Sequence, residues 1–254
     1  MLVLKIFFVV VCGAIITYTL KVDVGLGAVV AASLVALIAS LIIPNYGIPI
    51  YCGAFVGMTS SRLLINHTEL SFAAIVAAIL FLLTDRVFNG CGGKLVTIAF
   101  TGTLITGFGL KREFLITPVP EWDLIGLIIL FSVIAAVATF WLSVYLKHGG
   151  VIASGIVSIS GGLILPAVYP NDVGSTLAVM VICASFAGMS SAQRFLSLFQ
   201  MVLVGLICGI IFIYSMPLAG GAGGKLGTIA FGSVLAVLGY VDLTKTLKLR
   251  FSNL

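Results

Sequence analysis

Long apolar stretches, separated by short polar connections, follow one another along the whole chain. A helix needs about 20 apolar residues to cross the hydrocarbon core of a membrane. Six stretches satisfy this requirement clearly: 2–20, 26–43, 70–89, 124–146, 151–169 and 195–216. Four more, richer in Gly, Ser and Thr, are still apolar enough for membrane depth: 47–60, 93–110, 174–191 and 224–243. The pattern therefore predicts ten segments, five on each side of a polar connection at 111–123.

The composition is that of a protein with very little surface in water. Of its 254 residues, 61% are hydrophobic and 8% charged, with 13 basic and 8 acidic side chains. The mean hydropathy is +1.30. A soluble domain carries roughly 25% charged residues, so soluble enzymes and nucleic-acid-binding proteins are excluded. We predict an all-α polytopic membrane protein without an extramembrane domain.

Two blocks of sequence in the first half return in the second half. Residues 92–100 read Gly-Gly-Lys-Leu-Val-Thr-Ile-Ala-Phe, and 223–231 differ from them at one position of nine. At the same offset of 131, residues 52–60 return as 183–191, with Cys, Phe, Gly, Met and Ser retained. An earlier Pro-containing block recurs at an offset of 122, so the second half carries about nine extra residues. The chain is an internal duplication, with repeats predicted at 1–117 and 118–254.

The odd number of segments in each half predicts that the second repeat enters the membrane upside down. Inverted repeats related by a pseudo-twofold axis are a common plan of secondary transporters, with the binding site near the bilayer midplane. Basic residues favour the side that holds both termini by eight to five, which predicts cytoplasmic N- and C-termini. The expected location is the cell membrane, as a multi-pass protein.

The repeated Gly-Gly-Lys block is the strongest candidate for a binding site. Glycines let the backbone approach a ligand closely, and the first turn of a helix offers free N–H groups to an anion. An ionisable residue at membrane depth is costly and suggests function; alternatively, each lysine extends from a helix end to the lipid headgroups. The predicted substrate-binding residues are Gly92, Gly93, Lys94, Thr97, Gly223, Gly224, Lys225 and Thr228.

The other repeated block combines small residues at four-residue spacing with hydroxyl side chains. Such spacing lets transmembrane helices pack closely, and packing alone is one interpretation. The other is an interrupted helix whose hydroxyls and free carbonyls bind a coupling ion or the substrate. The candidates for this role are Thr59, Ser60, Ser190, Ser191 and Asp85, the acid expected inside the 70–89 segment.

No set of side chains with the spacing of a catalytic or metal site is present in the sequence. The five cysteines lie in or beside apolar segments without a C-x-x-C pair, which is typical of small buried hydrophobic residues. We therefore predict neither an enzyme nor a resident cofactor, with Na⁺ or H⁺ as the expected coupling ion.

In span number and inverted duplication, the chain resembles the secondary transporters built from two inverted five-helix repeats, such as bile-acid-type symporters and sodium/proton antiporters. The resemblance implies alternating access, with interrupted helices meeting at a central site. The adjacent carboxylates of the antiporters are missing, so cation/proton exchange is not implied.

The leading hypothesis is a transporter of a small anionic solute such as a carboxylate or phosphate, in contact with membrane lipids. A passive channel and a non-transporting subunit of a larger complex are the alternatives. A homodimer or a partner subunit fits each of these readings.

Overall fold

The computed structural model describes residues 2–169, 171–195 and 197–252. Ten α-helices cover these residues, one for each predicted segment, so the predicted number of helices is confirmed. In chain order they are α1 (Leu2–Val22), α2 (Ala28–Ile42), α3 (Gly47–Gly57), α4 (His67–Leu83), α5 (Lys94–Gly109), α6 (Ile125–Phe140), α7 (Gly150–Val168), α8 (Asn171–Gly188), α9 (Leu198–Ser215) and α10 (Lys225–Ser252).

Five of the helices are long and apolar enough to cross a membrane: those at Val3–Val22, Trp122–Tyr145, Gly150–Val168, Leu198–Ser215 and Lys225–Arg250. The second of these joins a 3₁₀ turn, α6 and a π-helical turn at Trp141–Tyr145. Helix α3, with 11 residues, is about 16 Å long and ends inside the bundle. The molecule is thus an all-helical protein whose long apolar helices are those of a membrane protein.

Large apolar side chains also cover the outside of the bundle. Leu4, Phe8, Ile42, Leu83 and Phe199 are each more than two-thirds exposed. Soluble monomers rarely show large contiguous apolar patches on their surface, whereas helices that are apolar on all faces are typical of membrane spans. The interior of the bundle, by contrast, holds many of the small residues.

The helix contacts of the first half are repeated in the second half. Helix α1 packs against α3 and α4, as α6 packs against α8 and α9. The contact of α2 with α3 is repeated by that of α7 with α8, and the contact of α4 with α5 by that of α9 with α10. The main contacts between the halves join equivalent helices, α2 with α7 and α5 with α10.

The extra residues of the second half lengthen two helices at their junction. At the offset of 122, the end of α2 at Ile42 corresponds to Ile164, but α7 continues to Val168. At the offset of 131, the start of α3 at Gly47 corresponds to Ala178, but α8 begins at Asn171. The insertion therefore makes α8 longer than α3 without changing its other end.

The expectation that Asp85 lies inside a helical span is wrong. Helix α4 ends at Leu83, and Asp85 is exposed in a series of turns that continues to Gly90. Phe88 and Gly90 have positive φ angles of 51° and 76°, which an α-helix does not allow. Residues 70–89 are apolar on average, so the hydropathy pattern does not show that the helix ends at Leu83.

Helices α5 and α10 cross at the one position where the repeated Gly-Gly-Lys blocks differ. Val96 is buried and lies against Gly227, where a Cβ atom would overlap the Val96 side chain. Two valines cannot occupy the crossing, because their first side-chain atoms would fall in the same space. The difference between the repeats is therefore required by their packing against each other.

We expect Gly227→Val to destabilise the protein by more than about 3 kcal/mol, because overpacking at a backbone crossing cannot be relieved by a rotamer change. The exchanged variant Val96→Gly/Gly227→Val keeps one valine at the crossing and should recover most of the lost stability. Thermal unfolding of purified protein in detergent measures both. An exchanged variant no more stable than Gly227→Val would contradict the equivalence of the two positions.

Candidate functional site

The two repeated blocks bind each other crosswise between the halves. The N–H of Gly92 donates to Ser190 Oγ over 3.0 Å, and the N–H of Gly223 donates to Thr59 Oγ1 over 3.1 Å. Each hydroxyl in turn donates to a carbonyl of its own helix, at 2.8 and 2.6 Å. Both hydroxyl residues are fully buried, so these bonds satisfy N–H groups that water does not reach.

A second pair of backbone hydrogen bonds completes this arrangement. The N–H of Ser60 donates to the Gly221 carbonyl over 2.8 Å, and that of Ser191 donates to the Gly90 carbonyl over 2.9 Å. The end of α3 is thereby fixed to the glycine turn before α10, and the end of α8 to the turn before α5. Four helix ends meet in this way inside the bundle.

Gly93 and Gly224 begin the two inner helices. Their φ angles are 81° and 84°, in the left-handed region that favours glycine. A side chain on either glycine would also collide with backbone atoms of the opposite helix, at Phe231 and Phe100 respectively. The first turns of α5 and α10 therefore pack directly against each other.

Lys94 uses all three of its ammonium protons within the protein. Its Nζ donates to the Thr84 carbonyl at 2.6 Å, and at 3.3 Å to the Asp85 carbonyl and to Asn89 Oδ1. These acceptors follow the end of α4, where the helix dipole favours a cation. Lys94 thus caps the preceding helix.

Lys225 caps α9 in the same way but less completely. Its Nζ donates to the Met216 carbonyl at 2.8 Å, and no other partner is found among the described residues. Because an ammonium group has three donors, Lys225 keeps donors for a ligand whereas Lys94 does not.

Two cavities adjoin these lysines. The larger, of about 990 Å³, is lined at the starts of α2, α6, α8 and α10, by the connection 117–123 and by the glycine turn 220–224 with Lys225. The smaller, of about 490 Å³, is lined at the starts of α1, α3, α5 and α7 and by the turn 89–93 with Lys94. The smaller cavity is lined by Ile6, near the start of α1, and the larger by Ala28 at the start of α2, which follows the other end of α1.

One buried apolar residue, Val96, lines both cavities. Elsewhere between the halves, Phe55 of α3 and Phe186 of α8 pack edge to face with ring centroids 4.7 Å apart, and both rings are fully buried. Val96 and this aromatic pair belong to the contact between the two halves.

Carboxylates lie at the rim of the larger cavity. Glu121, Asp123 and Asp172 line it and are exposed, while Lys225 lies deeper and is partly buried. In the smaller cavity, likewise, Asp85 is exposed and Lys94 is partly buried. Each cavity therefore has a basic group on the inner side and acidic groups toward the outside.

Some of the predicted site residues line the two cavities, and others do not. The glycines and lysines line the cavities as a group, but Thr97 and Thr228 do not. Thr97 donates to the carbonyl of Gly93 at 3.0 Å, and Thr228 is exposed. The hydroxyls of Thr59 and Ser190 fix the glycine turns, while Ser191 Oγ is buried without a partner among the described residues.

Lys21 is a residue of this region that the sequence did not indicate. Its Nζ donates to the carbonyls of Gly57 and Met58, each at 3.4 Å, and to that of Thr59. It also lies 4.6 Å from the centre of the Tyr18 ring. A lysine at the end of an apolar helix is ordinarily assigned to the membrane surface, so its role is visible only once α3 is placed beside it.

Comparison of the chain with protein-family models, curated proteins and solved structures gives no significant match. The assignment of a function therefore rests on the geometry.

We expect Thr59→Ala and Ser190→Ala each to cost about 1–3 kcal/mol, because each leaves a buried glycine N–H without an acceptor. Thr59→Ser and Ser190→Thr are matched controls, since each introduces the hydroxyl residue of the other repeat and should cost less than half as much. Thermal unfolding in detergent is the measurement. Equal losses for the alanine variants and their controls would show that the hydroxyls are unimportant.

Proposed function

We propose that this protein is a secondary transporter that moves a small anionic solute across the membrane by alternating access. The observation that carries the proposal is the pair of cavities at the two equivalent glycine turns, one of which is lined by Ile6 near the start of α1 and the other by Ala28, beyond the end of α1. In this proposal the ten helices are two inverted repeats, and each cavity is the route to one side of the membrane.

The unequal cavities suit a carrier in one of its two states. The larger cavity ends at the lysine that keeps free donors, and the smaller at the lysine whose donors are all used. An exchange of the two repeat conformations would enlarge the cavity at Lys94 and release its ammonium group. That exchange is the motion by which inverted repeats give alternating access.

The separation of the two cavities at Val96 favours a carrier over a channel. A channel needs a continuous path, whereas the linings of these two cavities share one residue, the buried Val96. The large internal cavities also favour transport over a purely scaffolding role, because a scaffold has no need for them.

An anion in the larger cavity would meet the free donors of Lys225 and the positive end of the α10 dipole. The rim carboxylates oppose a multivalent anion, since their charges repel it on its way in. We therefore expect a monovalent anion such as a small monocarboxylate to be bound better than a divalent phosphate.

A panel of monocarboxylates, phosphate and halides tests this binding by thermal unfolding of the purified protein. A ligand at about 100 times its Kd stabilises the folded state by about 2.7 kcal/mol. We expect at least one monovalent anion to raise the Tm, and Lys225→Ala to lose that response. Lys245→Ala, which removes the same charge from the exposed end of α10, should keep it. A well-folded protein that responds to none of these anions would exclude the anion proposal.

Alternating access is tested separately with two engineered cysteines, Asn45→Cys in the smaller cavity and Thr176→Cys in the larger. Asn45 lines the smaller cavity and Thr176 the larger. Cys12, which is partly exposed, and Cys91, which lines the smaller cavity, are replaced by Ala in both variants.

In a carrier, a bound anion should change the rates of maleimide labelling at the two positions in opposite directions, by several-fold each. Parallel changes at both positions would instead indicate a channel. Labelling in proteoliposomes, with the anion identified by the thermal screen, is the measurement, and the protein that carries only the Cys12→Ala and Cys91→Ala replacements gives the background.

A further inference from the structure

The ends of α3 and α8 have the same backbone conformation. The N–H of Met58 contacts two carbonyls at 3.2 and 3.3 Å, and that of Met189 contacts the equivalent two at the same distances. The turns that follow repeat as well, with the N–H of Leu63 and that of Arg194 each 3.0 Å from the carbonyl of the serine three residues earlier. The two helix ends therefore present their carbonyls in the same way.

The helix beside each end is also equivalent in position. A side chain at Gly57 would meet Ala14, Thr17 and Tyr18 of α1, and one at Gly188 would meet Ala136, Thr139 and Phe140 of α6. These contacts match residue by residue at the offset of 122. At the same offset the sequence counterpart of Lys21 is Ser143, in the π-helical turn that follows α6.

This substitution leaves the second helix end without a cation. In the first half, the ammonium group of Lys21 receives the carbonyls of residues 57–59. In the second half, no side chain in the described part of the chain donates to the carbonyls of Gly188, Met189 and Ser190. The π-helical turn at Trp141–Tyr145, which includes Ser143, also carries no charged side chain.

Hydroxyl groups add further oxygen atoms at this end. Thr139 is fully buried beside Gly188, and its Oγ1 has no hydrogen-bond partner among the described residues. Its counterpart Thr17 is likewise without one, so the ammonium of Lys21 binds the carbonyls of residues 57–59 and not this hydroxyl. Met189, between the other two residues of this helix end, lines the smaller cavity.

We propose that the C-terminal end of α8 binds a monovalent metal cation, Na⁺ being the first candidate, in the place that the ammonium of Lys21 takes at the end of α3. Carbonyl oxygens at the ends of interrupted helices are known ligands of coupling ions in transporters. The ligands here are the carbonyls of residues 188–190, with the hydroxyl of Thr139. As a coupling site this assignment rests on the proposed transport function; as a cation site it does not.

The test measures the Tm of the purified protein in NaCl, LiCl, KCl and choline chloride at one ionic strength. We expect Na⁺ to raise the wild-type Tm over choline by about 5 °C at saturation. Ser143→Lys carries its own ammonium to the site and should lose the response; Ser143→Ala, without an ammonium, should keep it.

The reverse change supplies an independent arm. Lys21→Ser gives the first half the sequence of the second, and should unfold at a lower Tm in choline and show a larger Na⁺ response than wild type. If Ser143→Lys does not fold, Val144→Lys places the ammonium one residue further along the same π-helical turn. A wild-type Tm that is equal in all four salts, or a folded lysine variant that keeps the full response, would overturn the proposal.

Solute uptake into proteoliposomes separates this proposal from the proposed function. Uptake that a Na⁺ gradient accelerates several-fold supports the site as a coupling site. A Na⁺-dependent Tm together with an absence of anion uptake retains the cation site and rejects the transport function. Uptake together with an unchanged Tm in all salts retains transport and rejects the cation site.

Discussion

Four helix ends stop inside the bundle, and their backbone groups have to be satisfied without water. In an apolar surrounding an unpaired N–H or carbonyl costs several kcal/mol. The structure meets this requirement by turning the ends toward each other: the hydroxyls of Thr59 and Ser190 accept from the glycine turns of the opposite half. The glycine N–H groups of each half are thus satisfied by a hydroxyl of the other half, so each repeat completes the other. The same condition explains why the hydroxyls and the glycines return together in both repeats.

Close approach of the backbones depends on small residues. Gly57 and Gly188 let α3 and α8 lie against α1 and α6, and Gly93 and Gly224 let α5 and α10 cross at their first turns. Without a hydrophobic driving force between helices in lipid, such packing is what holds a bundle together. The site and the core are therefore built from the same positions, and a change that alters one alters the other.

The sequence predicts the number of helices and most of their limits, because length and hydropathy determine which segments can span a membrane. It does not predict the end of α4 at Leu83, since the following turn is too apolar on average to stand out. The duplication shows which residues are equivalent, but not that a hydroxyl of one repeat accepts from a glycine of the other. The sequence also does not show that Lys21 binds the carbonyls at the end of α3. Lys21 lies far from α3 in the sequence, and the second repeat has no lysine at the equivalent position.

Differences between the repeats are more informative here than their similarities. At the crossing of α5 and α10 a valine faces a glycine, because two identical side chains cannot occupy one place near a pseudo-twofold axis. No such conflict is seen between Lys21 and Ser143, because the contacts of Lys21 lie within its own half, at residues 57–59 and Tyr18. Packing therefore accounts for the first difference and leaves the second unexplained. A helix end that carries its own ammonium in one repeat and none in the other is what a protein requires if only one of the two equivalent places is to take an ion from solution.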